Sequence, residues 1–344
     1  MKGANFMNKF FKKAAALVLS GVLVASAFAG CSKQDGDNPS GADAKKEYNI
    51  GICQLVQHPA LDEATKGFKE KLTALGQENG ITFNFDEQNA SGEATNCTTI
   101  TSKFVSDNVD LIFANATDAL AAASQATADI PIVGTSITDY ATALGIDNWT
   151  GKTGFNVTGS SDLAPLADQA AMIKELVPDA KNVGILYCSA EKNSKYQSDV
   201  ISESIKELGM TVKEYTFVDT NDVSVVTQQI VTDQCDVVFV PTDNTAASNA
   251  EAINNILEPA KIPVIAGEEG ICKGCGLATL SISYYSIGEA AGQMAFDILV
   301  NGKNPAEMEI QYATDLTKKY ITSKAENLGI TIPDGYEAID VTAE

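Results

Sequence analysis

"VDLIFANATD" at 109–118, with "IPIVG" at 130–134 behind it, returns later in the chain as "CDVVFVPTDN" at 235–244 with "IPVIA" at 262–266. Each copy is an apolar run that closes on small polar residues, then a segment of helical spacing, then an apolar run led by Ile-Pro. An apolar run without alternation marks a strand covered on both faces. Strand, helix and strand in that order mark a parallel sheet. The duplication predicts two lobes of one architecture.

Working outward, the first half begins with strand "YNIGICQLV" (48–56) and helix "PALDEATKGFKEKLTALGQENG" (59–80), ended by glycine. Strand "ITFNFDEQNA" (81–90) and helical spacing over 93–106 follow, and an alanine-rich helix over 117–127 separates the first duplicated pair. The second half has helices over 163–176, 194–208, 223–232 and 245–257, with strands "NVGILYCS" (182–189) and "TVKEYTF" (211–217) between them. Between the halves lies "GFNVTGSSD" (154–162), expected to act as a crossover strand that bends and presents side chains. The tail carries one long amphipathic helix, 287–300, then short strands and a last helix, and is expected to cross back and complete both lobes. The expected division is 48–157 plus 285–315 for one lobe and 158–284 plus 316–344 for the other.

The first thirty residues read differently. Lys2, Lys9, Lys12 and Lys13 precede an apolar stretch of small residues that is too short for a comfortable bilayer span, so 1–30 reads as a signal peptide. It ends in "SAFAGCS", which resembles a bacterial lipobox with Cys31 as the lipidated residue, although Phe28 stands where that pattern has leucine. Polar residues 31–47 then read as a flexible tether, which holds the folded part near a membrane without spanning it.

The formal net charge is −21 and grows more negative once the leader lysines are set aside. Such a chain repels nucleic acid. It contains no arginine, so a ligand carboxylate must be met by hydroxyls, backbone N–H groups, helix N-termini or lysine. Cys272 and Cys275 form the one close cysteine pair, open to a loop disulfide or to two separate thiols; with a single histidine in the chain this is no zinc site. No cofactor or metal is expected.

Ligands of open parallel sheets bind beyond the carboxyl ends of the strands. The residues there are Gln54 to His58, Asn115 to Thr117, Ser136, Ser189, Thr242-Asp243-Asn244 and Glu268-Glu269-Gly270. Two facing lobes bring them to one cleft, with Asn156, Thr158, Ser160, Ser161 and Asp162 on its rim. The set is rich in hydroxyls, amides and carboxylates, and His58 alone offers a catalytic base. No phosphate loop, dinucleotide fingerprint or HExxH is present, so a binding protein is expected and an enzyme is not.

"GICQLVQHPALDEATKGFKEKL", "NVTGSSDLAP", "KNVGILYCSAEKNS", "VVFVPTDNTAAS" and "GLATLSISYYSIGEAAGQMAFDILVNGKNPAEMEI" occur in this order across nearly all of the folded chain. In these stretches the chain resembles the substrate-binding lipoproteins of ABC transporters related to the tryptophan/tyrosine-binding group. The resemblance implies an α/β type I periplasmic-binding fold: two Rossmann-like lobes with parallel sheets, joined by a three-crossover hinge, closing on an amino acid, aromatic or apolar favoured, or a similar small molecule. It also implies permease and ATPase partners and a monomeric, extracytoplasmic, lipid-anchored protein. Asp139-Tyr140, where that group has Asp-Pro, and the "CKGC" segment depart from the pattern, so the pocket wall is expected to differ at both.

For an amino-acid ligand, Ser136, Thr158, Ser160 and Thr117 are expected at its carboxylate and Asp243 at its ammonium, with Glu268 and Asp162 behind. Capping of a following helix competes as the role of Asp162 and of Asp243. Gln54 and Asn244 either bond the ligand or fasten loops, and Phe155, Tyr187, Tyr284 and Tyr285 are the aromatic candidates. A sugar or nucleoside ligand, or a lipid-anchored sensor, shares these features.

Overall fold

The computed structural model describes residues 45–339. The expected leader, Cys31 and most of the tether lie outside them.

The first lobe runs β1 (Glu47–Gln54), α1 (Pro59–Asn79), β2 (Thr82–Asn89), α2 (Ala94–Ser106), β3 (Leu111–Asn115), α3 (Thr117–Ala126), β4 (Ile132–Thr135), α4 (Tyr140–Leu144) and β5 (Val157–Ser161). The second runs α5 (Leu166–Leu176), β6 (Asn182–Cys188), α6 (Lys192–Glu207), β7 (Thr211–Phe217), α7 (Val223–Thr232), β8 (Val237–Val240), α8 (Asn244–Ser248), α9 (Ala250–Leu257), β9 (Val264–Ala266), α10 (Glu269–Cys275) and β10 (Ala278–Ser281). The tail adds α11 (Tyr284–Leu299), β11 (Gln311–Tyr312), β12 (Thr317–Tyr320), α12 (Thr322–Leu328) and β13 (Glu337–Ala338).

The two sheets have the orders β11-β5-β4-β3-β1-β2 and β13-β12-β10-β9-β8-β6-β7. Within both, 2-1-3-4-5 is the shared core order, the geometric form of the sequence duplication. All pairings are parallel except β10 with β12. The duplicated runs are the central strands β3 and β8, and each is buried along its whole length because helices cover both faces. The chain passes between the sheets three times: after Ser161, between Ser281 and Tyr284, and between Tyr312 and Thr317.

The stretch 154–162 is therefore chiefly a strand of the first sheet, β5, paired with β4 from Val157 to Gly159, and the chain leaves that sheet only after Ser161. Gly159 has φ +151°, and a Cβ there would lie 2.0 Å from the Gly134 carbonyl oxygen.

Several boundaries differ from the sequence reading for local reasons. The helix expected from 163 starts at Leu166, since Pro165 supplies its N-cap and disfavours helix at the preceding Ala164. The tail helix starts three residues earlier than expected, at Tyr284, where the Ser283 hydroxyl accepts from Ser286 N. The helix expected over 245–257 is two, α8 and α9, meeting at Asn249. The "CKGC" segment is not a loop but lies on α10, and both of its cysteines are buried free thiols, so the disulfide alternative falls. A short helix the sequence reading missed, α4, is capped by Asp139, which accepts from Thr142 N at 2.7 Å.

Helices α1 and α11 touch backbone to backbone. A Cβ on Gly67 would lie 2.2 Å from the Tyr285 carbonyl oxygen, and one on Gly288 would lie 2.1 Å from that of Ala64. This contact fixes the start of one helix, after His58, against the start of the other, at Tyr284.

Candidate ligand cleft

Where the lobes meet, twelve residues enclose a small cavity: His58, Leu61, Ser136, Thr138, Asp162 and Tyr284 from the first lobe and crossovers, with Asn193, Thr242, Asp243, Asn244, Ala247 and Glu268 from the second. Its volume is about 10 Å³, room for about one water molecule. The lobes touch across it through His58 Nε2 and Asn244 Oδ1 at 3.2 Å, and through the Thr138 and Thr242 hydroxyls at 3.3 Å. A recess of about 320 Å³ opens outward of it, past Asp118, Glu191 and Thr245. Another, of about 310 Å³, lies at the crossovers, past Glu269, Ser281 and Tyr285.

Eight of the expected site residues meet here: His58, Ser136, Asp162, Thr242, Asp243, Asn244, Glu268 and Tyr284. Each follows the carboxyl end of a strand or starts a helix beside one, where parallel topology gathers loops from different strands. Asp162 does not cap a helix. It accepts from Thr138 Oγ1 at 3.0 Å and from the Tyr284 hydroxyl at 2.8 Å, the latter joining the first crossover to the second. Asp243 does cap: its two oxygens accept from Ala246 N and Cys188 N, both at 2.7 Å. Glu268 likewise caps α10 through Gly270 N and Ile271 N. Ser136 holds φ +56°, a left-handed conformation that a serine adopts only under constraint, and its buried hydroxyl has no partner.

The other expected residues are spent on the scaffold. Gln54 donates to Asp62 at 2.7 Å and accepts from Thr65 at 2.6 Å. Asn115 donates to the Leu61 carbonyl at 2.8 Å, and Thr117 is buried in the first turn of α3. Before and along β5, Asn156 bonds the Ile130 carbonyl at 2.7 Å, Thr158 faces Met308, and Ser160 donates to the Ile287 carbonyl at 2.9 Å. Ser161 donates to the Thr138 carbonyl at 3.0 Å. Tyr187 donates to Glu214 at 3.1 Å inside the second lobe, and Ser189 to the Phe217 carbonyl at 3.1 Å. Of the two tyrosines at the start of α11, Tyr284 turns into the cavity while Tyr285 turns outward to Glu70 at 2.7 Å, as neighbours on a helix must diverge. At the Asp-Pro departure, Tyr140 is buried in the first lobe and donates to the Ser160 carbonyl at 3.1 Å.

Sequence reasoning missed Leu61, Thr138, Asn193 and Ala247 in the lining, and Glu191 behind it. Thr138 sits two residues past a strand tip already singled out, and Glu191 and Asn193 belong to "SAEKNS", whose loop-then-helix character was the available signal.

Electrostatically the cavity is one-sided. Burial raises Asp162, Asp243 and Glu268 above the usual carboxylate range, Glu268 to about 7, and the charge of Glu191 adds to the effect on Asp243. None of the lining residues is a lysine, and burial lowers the pKa of His58 against the opposing pull of Asn244, Glu191 and Asp62, which favours the neutral imidazole. Glu269, one residue beyond, behaves oppositely: burial would raise it, but Lys273, Lys319 and Ser281 outweigh that and bring it to about 2. Among its lining residues the cavity thus carries buried acids and no cationic side chain.

The family model described as ABC transporter substrate binding protein matches residues 49–343. Over 303 residues the chain is 38% identical to a tyrosine-binding protein of Clostridioides difficile (strain R20291), covering 87% of each chain. It superposes with a TM-score of 0.79 on an ABC domain from Streptococcus pneumonia in complex with L-Trp, at 30% identity over 85% of this chain and all of that one. With the ligand-free, open structure of a Clostridium difficile substrate-binding protein with adhesive properties, the TM-score is 0.66, at 35% identity over 86% of this chain and all of that one. Among the described residues no helix is long and apolar enough to cross a membrane. The two-lobed α/β fold, the polar cavity between the lobes and the match over nearly the whole folded chain agree: the chain belongs to the ABC transporter substrate-binding proteins, a family of extracytoplasmic solute binders and not of enzymes.

Proposed function

We propose that the chain captures an amino acid, with an aromatic side chain favoured, in the cavity between its lobes. The observation that carries this is the set of buried carboxylates, Asp162, Asp243 and Glu268, with Glu191 behind them and no lysine in the lining. An ammonium supplies the missing charge and takes charge-assisted hydrogen bonds. Ser136, with an unpartnered hydroxyl, then serves the ligand carboxylate in place of arginine. The named ligands of the relatives, tyrosine and L-Trp, favour the same class.

A cavity this small admits such a ligand only after the lobes part. Binding therefore proceeds by hinge motion at the three crossovers, and closure is selected by the contacts the second lobe adds. The bound solute passes to separate permease and ATPase subunits, and no turnover by the purified protein is expected. Lipidation at Cys31 would anchor a monomer to the outer face of the cell membrane.

A thermal-shift screen of the twenty amino acids tests the reading, since a ligand at about 100 times its dissociation constant adds about 2.7 kcal/mol of stability. L-tyrosine or L-tryptophan is expected to raise the midpoint most. A rise with sugars or nucleosides and with no amino acid overturns the reading.

A further inference from the structure

Glu191, between β6 and α6, is buried at 6% exposure, and its carboxylate is saturated with donors. Oε2 accepts from Asn244 N at 2.9 Å and Asn244 Nδ2 at 2.7 Å; Oε1 accepts from Thr245 N and Thr245 Oγ1, both at 2.8 Å. Asn193 Nδ2 adds a contact at 3.2 Å. A carboxylate only accepts, so the Asn244 amide must turn its NH2 toward Glu191 and its Oδ1 away. That oxygen lies 3.2 Å from His58 Nε2 on the facing lobe. Since Oδ1 also only accepts, Nε2 carries the proton. A neutral imidazole has no second proton, which leaves Nδ1 a bare acceptor. Nδ1 is buried without a partner, on a side chain that lines the cavity and is itself only 7% exposed.

We propose that Glu191 is a positioning residue: through Asn244 it fixes the tautomer of His58 from the opposite lobe, and so makes Nδ1 an acceptor for a hydrogen-bond donor of the ligand when the lobes close. The donor's identity as an ammonium rests on the function proposed above; the tautomer does not.

The chain has one histidine, so the imidazole region of a long-range 1H–15N spectrum reports His58 alone in protein purified without a histidine tag. Closure is made independent of any ligand by a cross-link between Thr138→Cys and Thr242→Cys, whose hydroxyls are 3.3 Å apart. The locked chain is expected to show the Nε2–H tautomer. Adding Glu191→Gln, whose amide both donates and accepts, frees Asn244 to turn over and brings a substantial fraction of Nδ1–H; Asn244→Leu does the same by removing the acceptor, should the first variant not fold. The same comparison in the uncross-linked chain saturated with L-tryptophan is the second measurement. Glu191→Gln is also expected to weaken L-tyrosine binding about tenfold, the loss of roughly one hydrogen bond. An Nδ1–H imidazole in the locked chain, or a spectrum that neither substitution moves, overturns the inference. Failure of both amino acids to bind overturns the amino-acid reading alone, because the locked-chain spectrum contains no ligand.

Discussion

The Tyr284 hydroxyl donates to Asp162 Oδ2 at 2.8 Å, and so ties the second crossover between the lobes to the first inside the cavity wall. Both residues are buried, and the carboxylate depends on this bond and on Thr138 to offset its desolvation. Tyr284→Phe leaves an under-satisfied buried carboxylate. A loss of about 1–3 kcal/mol in unfolding free energy is expected, measured by denaturant titration, together with weaker ligand binding.

Asp162→Asn separates charge from shape. Both partners of Asp162 are hydroxyls, which accept as readily as they donate, so the amide keeps its hydrogen bonds. Thermal stability should stay level or rise, since a buried charge has been removed. Affinity for an amino acid should fall about tenfold or more, as expected when a charge-assisted contact is lost. Calorimetric titration decides: unchanged affinity would remove Asp162 from the ligand's ammonium.

Closure should depend on pH. The carboxylates of Asp162, Asp243 and Glu268 are raised by burial in this structure, Glu268 to about 7, and water entering an open cleft is expected to bring them down. A raised acid favours the closed form below its open-state pKa, and that contribution is lost as pH rises through its closed-state value. Each such group changes the balance by at most about 1.4 kcal/mol per pH unit within that window. The ligand-free protein should therefore have a smaller radius of gyration at pH 5 than at pH 8.5 by small-angle scattering. A cationic ligand reverses the trend by favouring the ionised forms, so binding should release protons near neutral pH, detectable as a buffer-dependent heat.

Gly159→Ala sets a Cβ 2.0 Å from the Gly134 carbonyl oxygen and 2.3 Å from the Tyr140 hydroxyl, in a backbone conformation that favours glycine. Strand β5 cannot keep its place beside β4, and Asp162 follows three residues on. A destabilisation of about 3 kcal/mol or more is expected, with binding lost alongside. A midpoint within a few degrees of the parent would show that β4 and β5 separate easily.

Much of the fold was legible because its signals are local. Continuous apolar runs such as "LIFAN" and "VVFV" announce strands covered on both faces, and their duplication announces two sheets of one order. The strand tips named most of the cavity wall, because parallel topology obliges those tips to converge. Less legible was anything set by a residue's surroundings. Asp162 and Asp243 read alike as acids ahead of a helix, yet Asp243 caps α8 while Pro165 takes the N-cap of α5 and leaves Asp162 to Tyr284.

By itself, the sequence determined the duplicated α/β plan, the strand ends that form the cleft, and a ligand site with no arginine. The tertiary structure alone decided which polar residues face the cavity and which are consumed by the scaffold. Thr158 and Ser160 lie within β5 and bond across to the tail, whereas Glu191, which was not among the expected site residues, stands behind Asn244 and faces the only histidine of the chain through it. The reason is physical: strand and helix follow from neighbours in sequence, but the partner of a buried polar group is whatever a distant segment brings within about 3 Å.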